Sequence, residues 1–379
     1  MASTSPKTRV PAAEIARRLE NLRAGLQRAG LAACYVTRSA DVHYLSGFTG
    51  DESALLITRR RGWLITDFRY VEEAQRSAPL FEVATPPTGT PAARFAGDLA
   101  RCQRMKSLGF ASRHLSHAAW QDLRRGFRGG RLQPVDSMMD DLRALKSNWE
   151  VRRIAAALGC AEEAFLALRR RLKAGMREND IRGELEWQIR RRGAEPAFPT
   201  IVACGANSSL PHARAGERRW RSGIPLLIDF GARLGFYNSD LTRVLFLDDI
   251  PRRWRERYSW VLEAQAAAFA SMRAGVACER PDAAARSVFA RHGCQDRFGH
   301  AVGHGVGLAV HDPPRLGQRN RTPLRPGMVV TVEPALYYPG EGGIRIEDMV
   351  IIHSAGCRAL SKLPKTEDAA VIGLSLIHI

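Results

Sequence analysis

Three short strand-like runs in this chain, two apolar and one alternating, end on carboxylates, and no other feature restricts its folding as much. Leu226-Leu227-Ile228 leads into Asp229, Val329-Val330-Thr331-Val332 into Glu333, and Ile344-Arg345-Ile346 into Glu347. Short runs of this kind read as strands, and an acid at the end of a strand is costly to bury unless its charge is compensated. Asp240 lies eleven residues beyond Asp229, across a stretch containing Gly231 and Gly235. Two antiparallel strands joined there can bring the two acids face to face across the ladder. Carboxylates that close repel unless a cation sits between them; the alternative is a pair of solvent-facing acids flanking a hairpin. In Gly343–Asp348, period-two alternation puts Ile344 and Ile346 on one face and Arg345 and Glu347 on the other. A salt bridge between Arg345 and Glu347 would there compensate the acid without any ligand.

Between these acids lies Phe298-Gly299-His300-Ala301-Val302-Gly303-His304-Gly305-Val306-Gly307-Leu308, with two histidines four apart among four glycines. Glycine lets backbone approach a ligand closely, and imidazole is a borderline ligand suited to Mn, Fe, Co or Zn. His311 follows in Val310-His311-Asp312-Pro313; on its own it reads as an exposed loop histidine.

The surrounding pattern indicates two domains. A helix is expected after Pro11, where Ile15, Leu19, Leu22 and Leu26 recur at helical spacing before Gly30. Strand-like runs at 33–37, 54–58 and 63–66 then alternate with turns, which indicates a small α/β domain. The signal weakens from Ser77 to Arg131. From Ser147 a long amphipathic helix carries Val151, Ile154, Leu158, Ala161, Phe165, Leu168 and Leu172, with Gly175 as its stop. A second helix is expected over 179–192, and a third carries Tyr258, Val261, Leu262, Ala266, Phe269 and Met272. These place an N-terminal α/β domain at 12–140 and a larger α+β domain at 147–370.

Lys and Arg total 57 against 39 acids, a formal charge of +18 that would ordinarily indicate nucleic-acid binding. Only six of the 57 are Lys, and the arginines run from end to end without the clustering and interleaved aromatics of a stacking surface. Nucleic acid is therefore not expected as a partner. Seven cysteines without a CxxC pair indicate free thiols and a cytoplasmic setting. No secretory h-region and no run of about 18 apolar residues is present, so a membrane partner is not expected.

Taken in order, Asp229, Asp240, His304, Glu333 and Glu347 resemble the metal-ligand pattern of the creatinase and aminopeptidase superfamily, most closely its Xaa-Pro aminopeptidase and prolidase branch. Phe198–His212 resembles the family stretch carrying a substrate-side histidine, so the resemblance gives that role to His212. His311 matches a second such histidine, and His300 a further pocket-lining one. Tyr44–Gly50, Thr66–Tyr70 and Leu142–Ser147 resemble the family's N-terminal signatures and linker. Phe236 stands where a Gly usually precedes the Tyr, and Asp312 where a Glu is common. The tail from Gly373 to Ile379 resembles nothing in the family and is left out of the expected fold.

The resemblance implies a pita-bread catalytic domain behind a creatinase-like N-terminal domain. It implies two divalent ions, with Mn expected and Co, Fe or Zn suited, held by the five ligands. Asp240 and Glu347 would bridge the ions, Asp229 would bind one, and His304 with Glu333 the other. A bridging hydroxide would attack the carbonyl of the first residue of a peptide with proline second. Glu333 would shuttle the proton, His212 and His311 would stabilise the intermediate and leaving nitrogen, and Arg345 would orient the bridging carboxylate and line the substrate side. The expected activity is an Xaa-Pro aminopeptidase, with an Xaa-Pro dipeptidase or a non-catalytic peptide- or nucleic-acid-binding protein as alternatives. A homodimer is also expected by resemblance.

Overall fold

In the first of the two units into which the chain divides, up to Arg143, a six-stranded sheet runs in the order Glu82–Ala84, Gly62–Thr66, Ser53–Thr58, Ala33–Val36, Ser107–Phe110, Arg131–Pro134. The computed structural model describes residues 9–373, so residues 374–379 of the tail lie outside the described residues. The expected strands are present within a residue or so, and the expected first helix is Ala12–Arg28. Within the weak-signal stretch the chain also forms two helices, Ala92–Cys102 and His117–Gly126. The first buries only small residues, Ala93, Ala96, Gly97 and Ala100, which carry little periodic signal. Their size is dictated by the packing, because a Cβ on Gly97 would come within 2.6 Å of Leu123 O and one on Gly126 within 2.4 Å of Arg94 O.

The second unit begins at Ala144. Its first helix, Asn148–Arg169, starts with a capping box in which the Ser147 side chain accepts from Glu150 N and Glu150 reaches back to Ser147 N. It ends three residues short of the expected Leu172, which stays buried in the turn that follows. Glu178–Arg191 and Arg252–Ser271 are the other two expected helices, and Glu279–Arg291 is a fourth.

A four-stranded sheet runs Val371–Ile372, Leu241–Leu247, Leu226–Phe230, Ile201–Cys204. A five-stranded one runs Asp312–Leu316, Gly303–Gly305, Val329–Val332, Asp348–Ile352, Cys357–Ala359, and Ala335–Tyr338 pairs with Gly342–Arg345. Alternate residues feed two cores. Leu227, Val244, Phe246, Val330, Val332, Val350 and Ile352 pack with the Arg252–Ser271 and Glu279–Arg291 helices. Leu226, Ile228, Leu245, Leu247, Val329, Met349 and Ile351 pack with the Asn148–Arg169 and Glu178–Arg191 helices. Strands covered on both faces are largely apolar, and the acids stand at or next to their ends. Among the described residues, no helix is long and apolar enough to cross a membrane.

The Asp229–Asp240 connection is more elaborate than one turn. Asp229 pairs with Thr242, so Asp240 is a diagonal neighbour on the same face, and the chain between them makes a separate hairpin, Ala232–Leu234 with Tyr237–Asn238. A Cβ on Gly231 would lie 2.0 Å from Ser239 O, so glycine is required there. Phe236 has φ 71° in that hairpin, a left-handed conformation that explains why the family pattern has glycine at this position.

Candidate metal centre

The strand ends deliver their acids to one place. One donor atom from each of Asp240, His304 and Glu347 lies within 4.8 Å of the others. His304 Nε2 stands 3.6 Å from Asp240 Oδ2 and 3.4 Å from Glu333 Oε1. Glu347 Oε2 accepts from the Thr242 hydroxyl at 2.7 Å, and Asp229 Oδ2 from Arg345 Nη2 at 2.5 Å. Backbone bonds hold the ends in place, Glu333 N to Val302 O at 2.7 Å and Glu347 N to Thr242 O at 3.2 Å.

The electrostatics are those of acids crowded without enough positive charge. Burial first, then the charges of Glu347, Asp229 and Glu333, push Asp240 well above the ordinary carboxylate range. Burial, then Glu333 and Asp229, do the same to Glu347, and burial raises Glu333. Burial lowers His304, leaving it neutral near pH 7. Its Nδ1 faces Gly305 O at 3.0 Å and so carries the proton, which leaves the Nε2 lone pair aimed at two carboxylates. Asp229 Oδ1 is buried with no hydrogen-bond partner. Lone pairs and carboxylates converging in this way fit divalent cations with mixed oxygen and nitrogen ligands.

The remaining expected residues fall into two groups. His212 and His311 are exposed, with the His311 ring 4.4 Å from that of His304. Burial, followed by the neighbouring His304 and His212, lowers the His311 pKa. His300 is placed differently from an open pocket histidine, since Nδ1 faces Ala301 O at 2.8 Å and Nε2 faces the Tyr337 hydroxyl at 3.1 Å. The Tyr337 hydroxyl also accepts from Arg345 Nη1 at 2.6 Å, so His300 reaches the centre through Tyr337, Arg345 and Asp229. Arg345 itself is buried and pairs with Asp229, in place of the Glu347 salt bridge that the alternation allowed. Arg345 and Glu347 both meet the Thr242 hydroxyl, which accepts from Arg345 Nε at 3.2 Å and donates to Glu347 Oε2 at 2.7 Å, while the direct ion pair goes to Asp229.

Sequence reading missed Thr242, Tyr337, Glu178 and Arg315. Buried Glu178 accepts from Cys204 N at 2.8 Å, Gly216 N at 2.9 Å and Asn207 Nδ2 at 3.0 Å, tying both ends of the loop that carries His212. Arg315 is the cross-strand partner of His304, is exposed, and among the described residues has no carboxylate partner.

Residues 152–354, more than half of the chain, match the model of metallopeptidase family M24, and residues 18–145 match the creatinase/prolidase N-terminal domain. The chain belongs to the M24 metallopeptidase family. An Xaa-Pro dipeptidase of Pyrococcus horikoshii is 34% identical over 335 residues, 87% of this chain and 92% of the relative. The solved Xaa-Pro dipeptidase from Bacillus anthracis superposes with a TM-score of 0.89 at 33% identity, covering 95% of this chain and 100% of that one. The X-Pro aminopeptidase from Thermotoga maritima gives 0.83 at 33% identity, covering 92% and 99%. The M24 chain thus has the expected architecture, a creatinase-type N-terminal domain followed by a pita-bread catalytic domain, and its family is metal-dependent.

Proposed function

We propose that this M24 metallopeptidase is an Xaa-Pro dipeptidase using two divalent ions, Mn first among them. The convergence of Asp240, His304 and Glu347, with Asp229 and Glu333 beside them, carries the reading. The aminopeptidase expectation gives way to the dipeptidase because two of the three named relatives are dipeptidases. Arg315 supports the same choice: a cation beside the centre suits the free carboxylate that a dipeptide presents close to its scissile bond. Cleavage of longer Xaa-Pro peptides is the second reading, favoured by the Thermotoga likeness. A non-catalytic binding role is disfavoured by a complete ligand set.

Asp229, Asp240, His304, Glu333 and Glu347 would hold the ions. When bound, the ions would supply Lewis acidity at the scissile carbonyl and a water acidified towards neutral pH. The chain's own residues do the rest. Glu333 takes the proton and returns it to the departing proline nitrogen. His212 and His311 donate hydrogen bonds to the carbonyl oxygen and that nitrogen as charge develops. Arg345 keeps Asp229 aimed, and Arg315 fixes the substrate carboxylate.

Rates on an Xaa-Pro dipeptide and an Xaa-Pro-Yaa tripeptide, after chelator treatment and readdition of Mn, Co, Fe or Zn, test this. The dipeptide should be preferred and activity should depend on metal. Cleavage undiminished by EDTA sinks the metal reading, and a tripeptide preference sinks the dipeptidase one.

A further inference from the structure

The ladder between Val329–Val332 and Asp348–Ile352 ends at Val332 opposite Asp348. Beyond that point the two chains part, Glu333 N bonding to Val302 O and Glu347 N to Thr242 O. The two glutamates are therefore not joined by the sheet that delivers them. A side chain from the opposite layer closes the gap. Gln265, on the Arg252–Ser271 helix and 1% exposed, donates from Nε2 to Val332 O at 2.9 Å and to Ile346 O at 3.0 Å. Those carbonyls belong to the residues immediately before Glu333 and Glu347.

The amide has only one usable orientation. Its Oε1 accepts from Lys365 Nζ at 2.5 Å, and since an ammonium only donates and a carbonyl only accepts, a flipped amide would oppose all three partners. Lys365 Nζ also meets Asp348 Oδ2 at 2.5 Å, Asp348 Oδ1 takes Arg243 Nη2 at 2.7 Å, and Arg243 Nη1 donates to Glu347 O at 2.6 Å. The bonds thus run from the backbone before one glutamate to the backbone of the other.

We propose that Gln265 is a positioning residue that sets the spacing of Glu333 and Glu347, with Lys365 holding its amide in the orientation that allows this. The inference rests on the reading of both glutamates as metal ligands. Groups that act through the ligands alter metal affinity without touching the metal, and a shift of about 0.5 Å in ligand placement is enough to matter.

The test uses the full chain stripped with chelator. Gln265→Glu, Lys365→Met and Lys365→Arg are titrated with Co2+ by calorimetry and visible absorption, alongside thermal unfolding of the metal-free proteins. Gln265→Glu sets an oxygen against two carbonyls and should weaken Co2+ binding about 10- to 100-fold with a changed visible band. Lys365→Met should move both readouts the same way by less, and Lys365→Arg should restore them. A lowered metal-free Tm with parental Co2+ affinity and spectrum overturns the proposal, leaving Gln265 as packing alone. If Gln265→Glu does not fold, Lys365→Met decides, because that side chain is 32% exposed and Asp348 keeps its pair with Arg243. A parent that takes up no Co2+ overturns the metal reading beneath it.

Discussion

Arg345 Nη2 lies 2.5 Å from Asp229 Oδ2, with both side chains largely buried. The same guanidinium donates from Nη1 to the Tyr337 hydroxyl at 2.6 Å and from Nε to Thr242 Oγ1 at 3.2 Å. The Thr242 hydroxyl in turn donates to Glu347 Oε2 at 2.7 Å. One cation therefore orients one acid directly and a second through a single hydroxyl. It offsets part of the negative charge while leaving Asp229 Oδ1 open.

Arg345→Lys keeps the charge but loses the planar fork, since an ammonium cannot reach Asp229, Tyr337 and Thr242 together. A buried group left without its hydrogen bond costs about 1–3 kcal/mol, so thermal unfolding of the metal-free variant should come earlier than in the parent. Mn2+ affinity, read by equilibrium dialysis, should fall roughly 10- to 100-fold. Parental affinity in a folded Arg345→Lys would show that the fork does not set Asp229.

The acids also imply a pH dependence of stability. Burial first, and neighbouring charges next, raise Asp240 and Glu347 in the metal-free protein. A folded-state pKa above the unfolded one means the native chain holds protons that the unfolded chain has released. The associated stability is present below the unfolded carboxylate range, near pH ~4, and is lost as pH rises through the raised folded values. Asp240→Asn cannot ionise and escapes that loss. In EDTA its Tm should exceed the parent's above neutral pH, by about 2–4 °C for each kcal/mol relieved, and the gap should close towards pH ~4. A gap constant with pH contradicts this, and Mn2+ should abolish the gap by stabilising only the parent.

The five candidate ligands were legible because each stands in a local context, Asp229, Glu333 and Glu347 at the end of a strand-like run, Asp240 just before one and His304 between glycines. Their supports were not, because each acts across the fold. Thr242 and Glu347 are 105 residues apart, as are Arg243 and Asp348, and no local period links them. The Arg345–Glu347 alternative meets the same limit: the two side chains share the Thr242 hydroxyl, but the direct ion pair goes to Asp229, 116 residues away. The Ala92–Cys102 helix was hidden because close contact with its neighbour selects alanine and glycine, which carry little hydrophobic contrast.

Arg315 separates the two peptidase readings. It faces the same side of its sheet as His304, its cross-strand partner, and is exposed. A hydrogen bond to a charged group is worth about 1.5–3 kcal/mol, so Arg315→Met should raise KM for an Xaa-Pro dipeptide about 10- to 100-fold. A tripeptide, whose carboxylate lies one residue further on, should be affected much less. Equal losses on both substrates would remove Arg315 from carboxylate recognition.

Glu178 provides a test of the histidine loop that leaves the metal ligands alone. Oε1 accepts from Cys204 N at 2.8 Å and Oε2 from Gly216 N at 2.9 Å, with Asn207 Nδ2 bonded to both at 3.0 and 3.1 Å. Every partner is a donor, so the position demands two acceptor atoms. Glu178→Gln supplies one and turns an NH2 group towards a backbone N–H, which leaves a buried donor unsatisfied at a cost of about 1–3 kcal/mol. The loop is then released at one end, and His212 with it. The expected result is a fall in kcat of roughly 10- to 100-fold, since each 1.36 kcal/mol of lost transition-state stabilisation is tenfold, with Mn2+ affinity unchanged. Gln265 variants should show the reverse priority, weakened metal binding first, because they act on the glutamates. Should Glu178→Gln lose metal affinity in step with kcat, the loop and the metal centre are one cooperative unit, and His212 has no separable part in the chemistry.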